Sequence, residues 1–147
     1  MSKIQNFFLA ADHAGFYLKE KLKKFFASQA INFTDLGTNS SKSVDYPDFA
    51  HALAKKISTT PNSTGVLICG SGIGVSIAAN RHHGVRAARC CSELDATLAR
   101  QHNNANVLAL AGRQLTFFQA KKIVKKFLTI KFEEGRHKRR VEKIEIK

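Results

Sequence analysis

The sequence has no long hydrophobic run, and this absence excludes a membrane-spanning helix. Its longest purely apolar runs, Phe7–Ala11 and Val107–Ala111, are five residues each, whereas a transmembrane helix needs about 20. Asp12 and His13 interrupt the first run, so the N-terminal segment is not predicted to be a signal peptide. We therefore expect a chain that does not enter a membrane.

Cysteines are also scarce, which excludes a small disulfide-stabilised scaffold. The chain has 3 cysteines in 147 residues, and an odd number cannot all be paired within one chain. Cys90 and Cys91 are adjacent, so they form no CxxC motif and do not easily bridge each other. This cysteine usage favours a reducing, cytoplasmic setting.

Acidic residues are few, because 11 Asp and Glu stand against 24 Lys and Arg and leave a net charge of +13. A disordered basic tail is excluded, since 44% of the residues are hydrophobic and supply the core of one domain. The charge suggests a nucleic-acid-binding module, but solvated faces of amphipathic helices are the favoured explanation for much of it. The lysines in helical patterns are Lys19, Lys21, Lys23 and Lys24 in one segment and Lys121, Lys122, Lys125 and Lys126 in another.

Apolar runs alternate with segments of helical periodicity along the whole chain, which is typical of a parallel sheet covered on both faces. The fold class predicted is α/β: a three-layer αβα sandwich with a Rossmann-like, doubly wound sheet of five parallel strands. Residues 1–147 form a single domain in this prediction, with 133–147 as a helical tail. The predicted strands are Ile4–Ala11, Ile31–Leu36, Thr64–Cys69, Val85–Cys90 and Val107–Ala111, and the predicted helices are Phe16–Ser28, Pro47–Thr59, Val75–Asn80, Glu93–Gln101 and Phe117–Thr129.

Residues that can bind a ligand or take part in catalysis follow four of the five predicted strands. In open α/β sheets, ligands bind beyond the carboxyl ends of the strands. A carboxylate, a histidine, a cysteine, a hydroxyl and a glycine-rich turn converge on that edge, which predicts a ligand site there. The segments are Asp12–Gly15 after the first strand, Gly37–Asp48 after the second, Cys69–Gly74 after the third, and Gly112 and Arg113 after the fifth.

The loop Cys69–Gly74, with the sequence CGSGIG, is the most informative of these segments. Alternate glycines allow successive N–H groups to converge on an anion, and the following helix adds its positive end. The spacing is neither that of a dinucleotide fingerprint nor that of a Walker loop. An anion-binding turn and a plain tight turn both fit. The same dipoles would favour the thiolate of Cys69, although a buried, inert cysteine is the commoner role.

Histidines and arginines near the C-terminal half leave further alternatives open. His102 in RQHNNAN reads by itself as a helix-end residue, and the adjacent His82 and His83 lack the spacing of zinc ligands. Arg136 and Arg140 share one face of a helix and would clamp a single phosphate, but solvated surface charge explains them as well.

Taken together, these segments resemble the B-type ribose-5-phosphate isomerases, a family that also includes allose-6-phosphate and galactose-6-phosphate isomerases. The resemblance follows the family's order over essentially the whole chain. It is carried by ADHAG (11–15), DYPD (45–48), ICGSGIGVSIAANR (68–81), GVRAA (84–88), RQHNNANVLALAGR (100–113) and GRHKRRVEKI (135–144).

This resemblance implies an aldose–ketose isomerase that works through a cis-enediolate without a metal or an organic cofactor. Ribose 5-phosphate and ribulose 5-phosphate, of the pentose phosphate pathway, are the expected pair, with allose 6-phosphate or galactose 6-phosphate as the alternative. By position, Cys69 is the base that moves a proton between C2 and C1, and Ser71, where many members have threonine, relays a proton between the sugar oxygens. His102 helps to open the furanose ring, with Asp12 as its partner on the sugar hydroxyls. Val75 stands near the place where some relatives carry a glutamate base, which favours Cys69 here.

The resemblance also implies a binding set and a partner. The family's site lies between two subunits, so a homodimer or a dimer of dimers is expected, with the basic tail on the neighbouring subunit. The small-molecule partner is a sugar phosphate, and nucleic acid and membrane are not expected as partners. The residues implied for binding are His13, Arg113, Arg136 and Arg140 at the phosphate, Asn103 at the substrate oxygens, Asp45 and Tyr46 at the mouth, and the N–H groups of Gly70, Gly72 and Gly74 around the enediolate.

Overall fold

Five parallel strands alternate with helices along residues 4–147, the part of the chain that the computed structural model describes. The strands are β1 (Asn6–Ala11), β2 (Thr34–Asp35), β3 (Ser63–Cys69), β4 (Ala87–Arg89) and β5 (Val107–Ala111). The helices are α1 (Phe16–Ser28), α2 (Tyr46–Thr59), α3 (Ile73–Ala79), α4 (Glu93–Asn103), α5 (Phe117–Thr129) and α6 (Arg136–Glu142). Within residues 4–147, no helix has both the length and the apolar character needed to cross a bilayer.

The sheet confirms the predicted doubly wound αβα sandwich. Its strand order is β2-β1-β3-β5-β4, and every neighbouring pair is parallel. Apolar side chains of α1, α4 and α5 pack against one face, and those of α2 and α3 pack against the other. In the register, Ala11 pairs with Ile68 and Cys69 pairs with Ala111, so the three central strands end side by side. Their carboxyl ends form one continuous edge.

Three strands are shorter than their apolar patterns predict, and the first of them, β1, lacks only Ile4 and Gln5 at its start. The fourth strand begins only at Ala87, because side-chain amides satisfy the backbone before it: Arg86 N–H donates to Asn106 Oδ1 (2.8 Å) and Ala87 N–H donates to Asn80 Oδ1 (2.7 Å). The second strand is reduced to β2, since Ile31 N–H donates to Phe26 O at the end of α1 instead of joining the sheet. The helical part of the tail is α6, which covers less than 133–147.

The prediction that the lysines of α1 face solvent is wrong for Lys19. Its side chain is fully buried, and its Nζ donates to both carboxylate oxygens of Asp35, at 2.8 and 2.7 Å. Lys23 Nζ also lies 2.7 Å from Asp35 Oδ2. Burial alone would raise the pKa of Asp35, but hydrogen bonds from Lys19, Lys23 and the Gly37 N–H outweigh it and lower that pKa. The pair ties α1 to the end of β2.

We expect Asp35→Asn to reduce the free energy of unfolding at pH 7 by about 2–3 kcal/mol, because it removes the main partner of the buried Lys19 ammonium group and leaves it only Glu20, at 3.6 Å. Since folding lowers the pKa of Asp35 below its ordinary 3.8, the stabilisation is present above that pH and is lost as the pH falls through the folded-state pKa. Urea unfolding followed by circular dichroism at pH 7 and pH 3 measures both effects.

The matched control is the double variant Lys19→Met/Asp35→Asn, which removes both charges and keeps the apolar stem. It should recover part of the lost stability. Equal unfolding free energies for wild type and Asp35→Asn at pH 7 would show that the buried pair contributes nothing.

Candidate active site

Three loops meet in van der Waals contact where β1, β3 and β5 end. A Cβ placed on Gly15 would lie 2.5 Å from the carbonyl oxygen of Ile68, and one placed on Gly112 would lie 2.9 Å from Ala14 O. Gly112 N–H also donates to Cys69 O at 2.7 Å. Only glycine allows this approach, so Gly15 and Gly112 bring the three loops together.

A cavity of about 380 Å³ opens between these loops at the carboxyl edge of the sheet. It brings together eight of the predicted site residues and adds Ala14 and Gln114. Its lining consists of Asp12, His13, Ala14, Tyr46, Cys69, Gly70, Ser71, Gly74, Arg113 and Gln114.

Cys69 ends β3 at this cavity, and only 4% of it is exposed. Its Sγ accepts a hydrogen bond from the backbone N–H of Gly72 at 3.2 Å. Gly72 caps α3 with a φ of 73°, in the left-handed region, and a Cβ there would lie 3.0 Å from the backbone carbon of Leu110. The glycine is therefore required both for the turn and for the N–H that reaches the sulfur.

Asp12 and His13 are held at the start of α1 by backbone contacts. The carboxylate of Asp12 is buried, and its Oδ1 accepts the N–H groups of Ala14 (2.9 Å) and Gly15 (3.1 Å). The ring nitrogen Nδ1 of His13 lies 3.2 Å from both the N and the O of Val44. Both side chains are thus oriented before any ligand arrives.

Arg113 and Tyr46 lie against glycines of the CGSGIG loop. A Cβ on Gly70 would lie 3.2 Å from an Arg113 Nη, and one on Gly74 would lie 2.6 Å from the Tyr46 ring. Gly70 and Gly74 therefore make room for a cation and an aromatic ring at the cavity. Asp45 is exposed at the N-cap of α2 and does not line the cavity.

Four predicted site residues lie at the opposite edge of the sheet: His102, Asn103, Arg136 and Arg140. His102 and Asn103 end α4, which returns the chain from the carboxyl edge to the amino end of β5. The five residues of β5 separate the two edges by about 13 Å at about 3.3 Å per residue. Arg136 and Arg140 are exposed on α6, as expected for a shared helix face. Within one chain, these four residues are not brought to Cys69.

The tail segment at this second edge forms a cluster with His102. The rings of His102 and His137 stack with centroids 4.3 Å apart, and Glu133 Oε2 lies 4.0 and 3.7 Å from their Nε2 atoms. Burial lowers the pKa of His137, and the positive charges of His102, Arg136 and Arg140 lower it further. Two imidazoles and a carboxylate are possible metal ligands, but the arginines of α6 oppose a cation there.

A protein-family model described as Ribose/Galactose Isomerase matches residues 7–144. The chain belongs to this family. The ribose-5-phosphate isomerase B of Escherichia coli K12 is 42% identical over 133 residues, which are 90% of this chain and 89% of the relative. The family resemblance drawn from the motifs is therefore confirmed.

Solved structures of this isomerase family match the fold closely. A ribose 5-phosphate isomerase from Thermotoga maritima superposes with a TM-score of 0.92 at 47% identity, over 95% of this chain and 96% of the other. The ribose-5-phosphate isomerase B of Mycoplasma genitalium, solved with bound ribulose-5-phosphate, gives a TM-score of 0.91 at 47% identity, over 95% and 93%.

Two residues at or near the cavity, Gln114 and Arg89, were not predicted from the sequence. Gln114 lines the cavity three positions after β5, and Arg89 contacts the CGSGIG loop from the end of β4. The rule that pointed to the other strand ends applies equally to the fourth strand. Applied there, it identifies Arg89 as a candidate.

Proposed function

We propose that this chain interconverts ribose 5-phosphate and ribulose 5-phosphate through a cis-enediolate, with no metal or organic cofactor. The observation that carries the proposal is the Cys69 thiol at a small polar cavity, held by a backbone N–H of the glycine-rich loop. The chain's family and the ribulose-5-phosphate bound by its Mycoplasma genitalium relative support this pair of substrates.

Cys69 is the proposed base for the proton transfer. As a thiolate it takes the proton from C2 of the open-chain aldose, the C–H electrons form the C1=C2 double bond, and the carbonyl oxygen becomes the enediolate oxygen. The thiol then returns the proton to C1, while Ser71 moves a proton between the two oxygens. Backbone N–H groups of Gly70 and Gly74, which line the cavity, stabilise the developing oxyanion, whereas the Gly72 N–H holds the sulfur.

The other site residues hold the sugar and its phosphate. His13 and Arg113, at the mouth of the Cys69 cavity, provide positive or donor groups for the phosphate. Asp12 binds a sugar hydroxyl, with its orientation set by the start of α1. Tyr46 completes the mouth from the N-terminus of α2, whereas the exposed Asp45 lies outside the cavity and is given no part in binding.

A second copy of the chain supplies His102, Asn103, Arg136 and Arg140, which lie too far from Cys69 to act on the same sugar within one chain. The outer face of α3 supports this arrangement, since Ile73 and Ile77 are 49% and 57% exposed. These two isoleucines follow the glycine-rich loop directly, so a partner that covers them lies beside the cavity. We therefore propose a homodimer, or a dimer of dimers, with the tail at the interface and His102 opening the furanose ring.

The proposed setting is the cytoplasm, where the enzyme would serve the pentose phosphate pathway. Cys69, Cys90 and Cys91 are all free thiols, which suits a reducing compartment. Burial raises the pKa of Cys90 to about 12, so this cysteine is a packing residue without a part in the chemistry.

The substrate assignment is tested by parallel assays of the purified protein. We expect kcat/KM for ribose 5-phosphate to exceed that for allose 6-phosphate or galactose 6-phosphate by at least about tenfold, because a cavity of about 380 Å³ suits the shorter sugar. A preference for a hexose phosphate would contradict the pentose assignment. Turnover of none of the three, together with salt-dependent binding of nucleic acid, would favour the different class of function.

The role of Cys69 is tested by Cys69→Ser. We expect kcat to fall by at least about 10² with little change in KM, because the alcohol is a far weaker base and the contacts to the substrate remain. Steady-state kinetics on ribose 5-phosphate measures both constants, and Cys90→Ser is the matched control with near-normal activity. Near-normal kcat for Cys69→Ser would remove Cys69 as the base.

The two-chain site is tested by mixing inactive variants. Cys69→Ala and His102→Ala homodimers are unfolded and refolded together in equal amounts. With random pairing, about one site in four then combines intact Cys69 with intact His102. We expect activity to reappear in the mixture at roughly that fraction of wild type. Complete absence of recovered activity, with mixed dimers verified by mass spectrometry, would place both residues in the same chain's site.

A further inference from the structure

Arg89 joins three loops at the carboxyl edge of the sheet without lining the cavity itself. Its Nε donates to the carbonyl oxygen of Ser71 at 2.6 Å, and its Nη2 donates to Gln114 Oε1 at 3.1 Å. Its Nη1 lies 2.9 Å from the sulfur of Cys91. The guanidinium thus connects the end of β4 to the loops that follow β3 and β5.

The contact with Ser71 reaches Cys69 through one peptide group. The Ser71 carbonyl and the Gly72 N–H belong to the same planar amide. The oxygen accepts from Arg89 at 2.6 Å, and the N–H donates to Cys69 Sγ at 3.2 Å. A positive donor on the oxygen of an amide polarises it and strengthens the hydrogen bond made by its N–H.

In the part of the chain that the structure describes, the positive charge of Arg89 is not balanced by a neighbouring carboxylate. Among residues 4–147, no carboxylate lies within the 4.0 Å of an ion pair with Arg89, and its three partners are a carbonyl, an amide and a thiol. The carboxylate of Asp95 is occupied by the N–H groups of Cys91 and Ser92 at the start of α4. A half-buried guanidinium without a counter-ion acts strongly on the amide that it contacts.

We propose that Arg89 is a positioning residue that favours the thiolate of Cys69 through the Ser71–Gly72 peptide group. It holds the amide in the orientation that aims the Gly72 N–H at the sulfur, and its charge strengthens that bond when the sulfur is negative. This inference rests on the proposed role of Cys69 as the base. Arg89 itself does not touch the substrate in this account.

The test is the alkylation of Cys69 by iodoacetamide between pH 6 and pH 10, resolved by peptide mass spectrometry in the full-length protein. Thiolate is the reacting form, so the rate reports the state of the sulfur without reference to turnover. In Arg89→Met we expect the rate at pH 7 to fall by about tenfold and the rise with pH to move to higher pH, since one charge-assisted bond is lost. We expect kcat to fall by a similar factor, with KM changed by less than about threefold.

Arg89→Lys and Cys91→Ser provide the matched comparisons. Lysine keeps the charge and one donor, so the alkylation rate should lie between those of wild type and Arg89→Met. If Arg89→Met does not fold, the alkylation rate of Arg89→Lys alone tests whether Arg89 favours the Cys69 thiolate. Cys91→Ser removes the third partner of Arg89 and should leave the alkylation of Cys69 unchanged. Cys90 does not interfere below pH 10, because burial raises its pKa to about 12.

This proposal would be overturned if Cys69 were alkylated in both Arg89 variants at the same rate, and with the same pH dependence, as in the wild-type protein. That outcome is distinct from failure of Cys69 as the base, which is read from the kinetics of Cys69→Ser. A fully active Cys69→Ser enzyme would show that Cys69 is not the base, so that Arg89 could not act on catalysis through it. An unchanged alkylation profile in the Arg89 variants would show that Arg89 does not favour the Cys69 thiolate.

Discussion

The candidate site depends on how closely three strand ends approach one another. Gly15 and Gly112 allow the loops after β1 and β5 to touch each other and the backbone of β3, where a Cβ would lie 2.5 to 2.9 Å from a carbonyl oxygen. This contact places the Asp12 carboxylate, the Cys69 thiol and the Arg113 guanidinium around one cavity. Each of these side chains is oriented by backbone hydrogen bonds or by a glycine beneath it, so the site is formed before a ligand binds.

The approach of the strand ends follows from features that a sequence displays well. Buried parallel strands appear as short apolar runs, and loops such as Cys69–Gly74 must then meet at one edge of the sheet. The burial of Lys19 could not be predicted from the sequence, because its position in the helical pattern is the same as that of an exposed lysine. Its burial depends on the contact with Asp35, which only the tertiary structure brings close. The separation of His102 from Cys69 was also not readable from spacing, since it depends on the direction in which α4 crosses the sheet.

The excess of positive charge divides between two parts of the molecule. On the outer faces of α1 and α5, the ammonium group of Lys121 lies 5.5 to 5.9 Å from the ring centroids of Phe25, Phe117 and Phe118, so these lysines cover apolar surface that the helices leave exposed. The arginines have another placement. Arg113 lies at the cavity and Arg89 beside it, where fixed positive groups suit an anionic substrate and a thiolate. The charge therefore agrees with an enzyme for a small phosphorylated sugar, and the helix lysines other than the buried Lys19 belong to the surface.

If a sugar phosphate binds against Cys69 at the carboxyl edge of the sheet, it protects this thiol from reagents in solution. The decisive measurement is the alkylation of each cysteine by iodoacetamide with and without saturating ribose 5-phosphate. We expect the sugar phosphate to slow alkylation of Cys69 at least about tenfold, because the bound substrate closes a cavity in which Cys69 is already only 4% exposed. Alkylation of the exposed Cys91 should continue unchanged. Equal alkylation rates at Cys69 with and without the sugar phosphate would show that the substrate does not bind against this thiol.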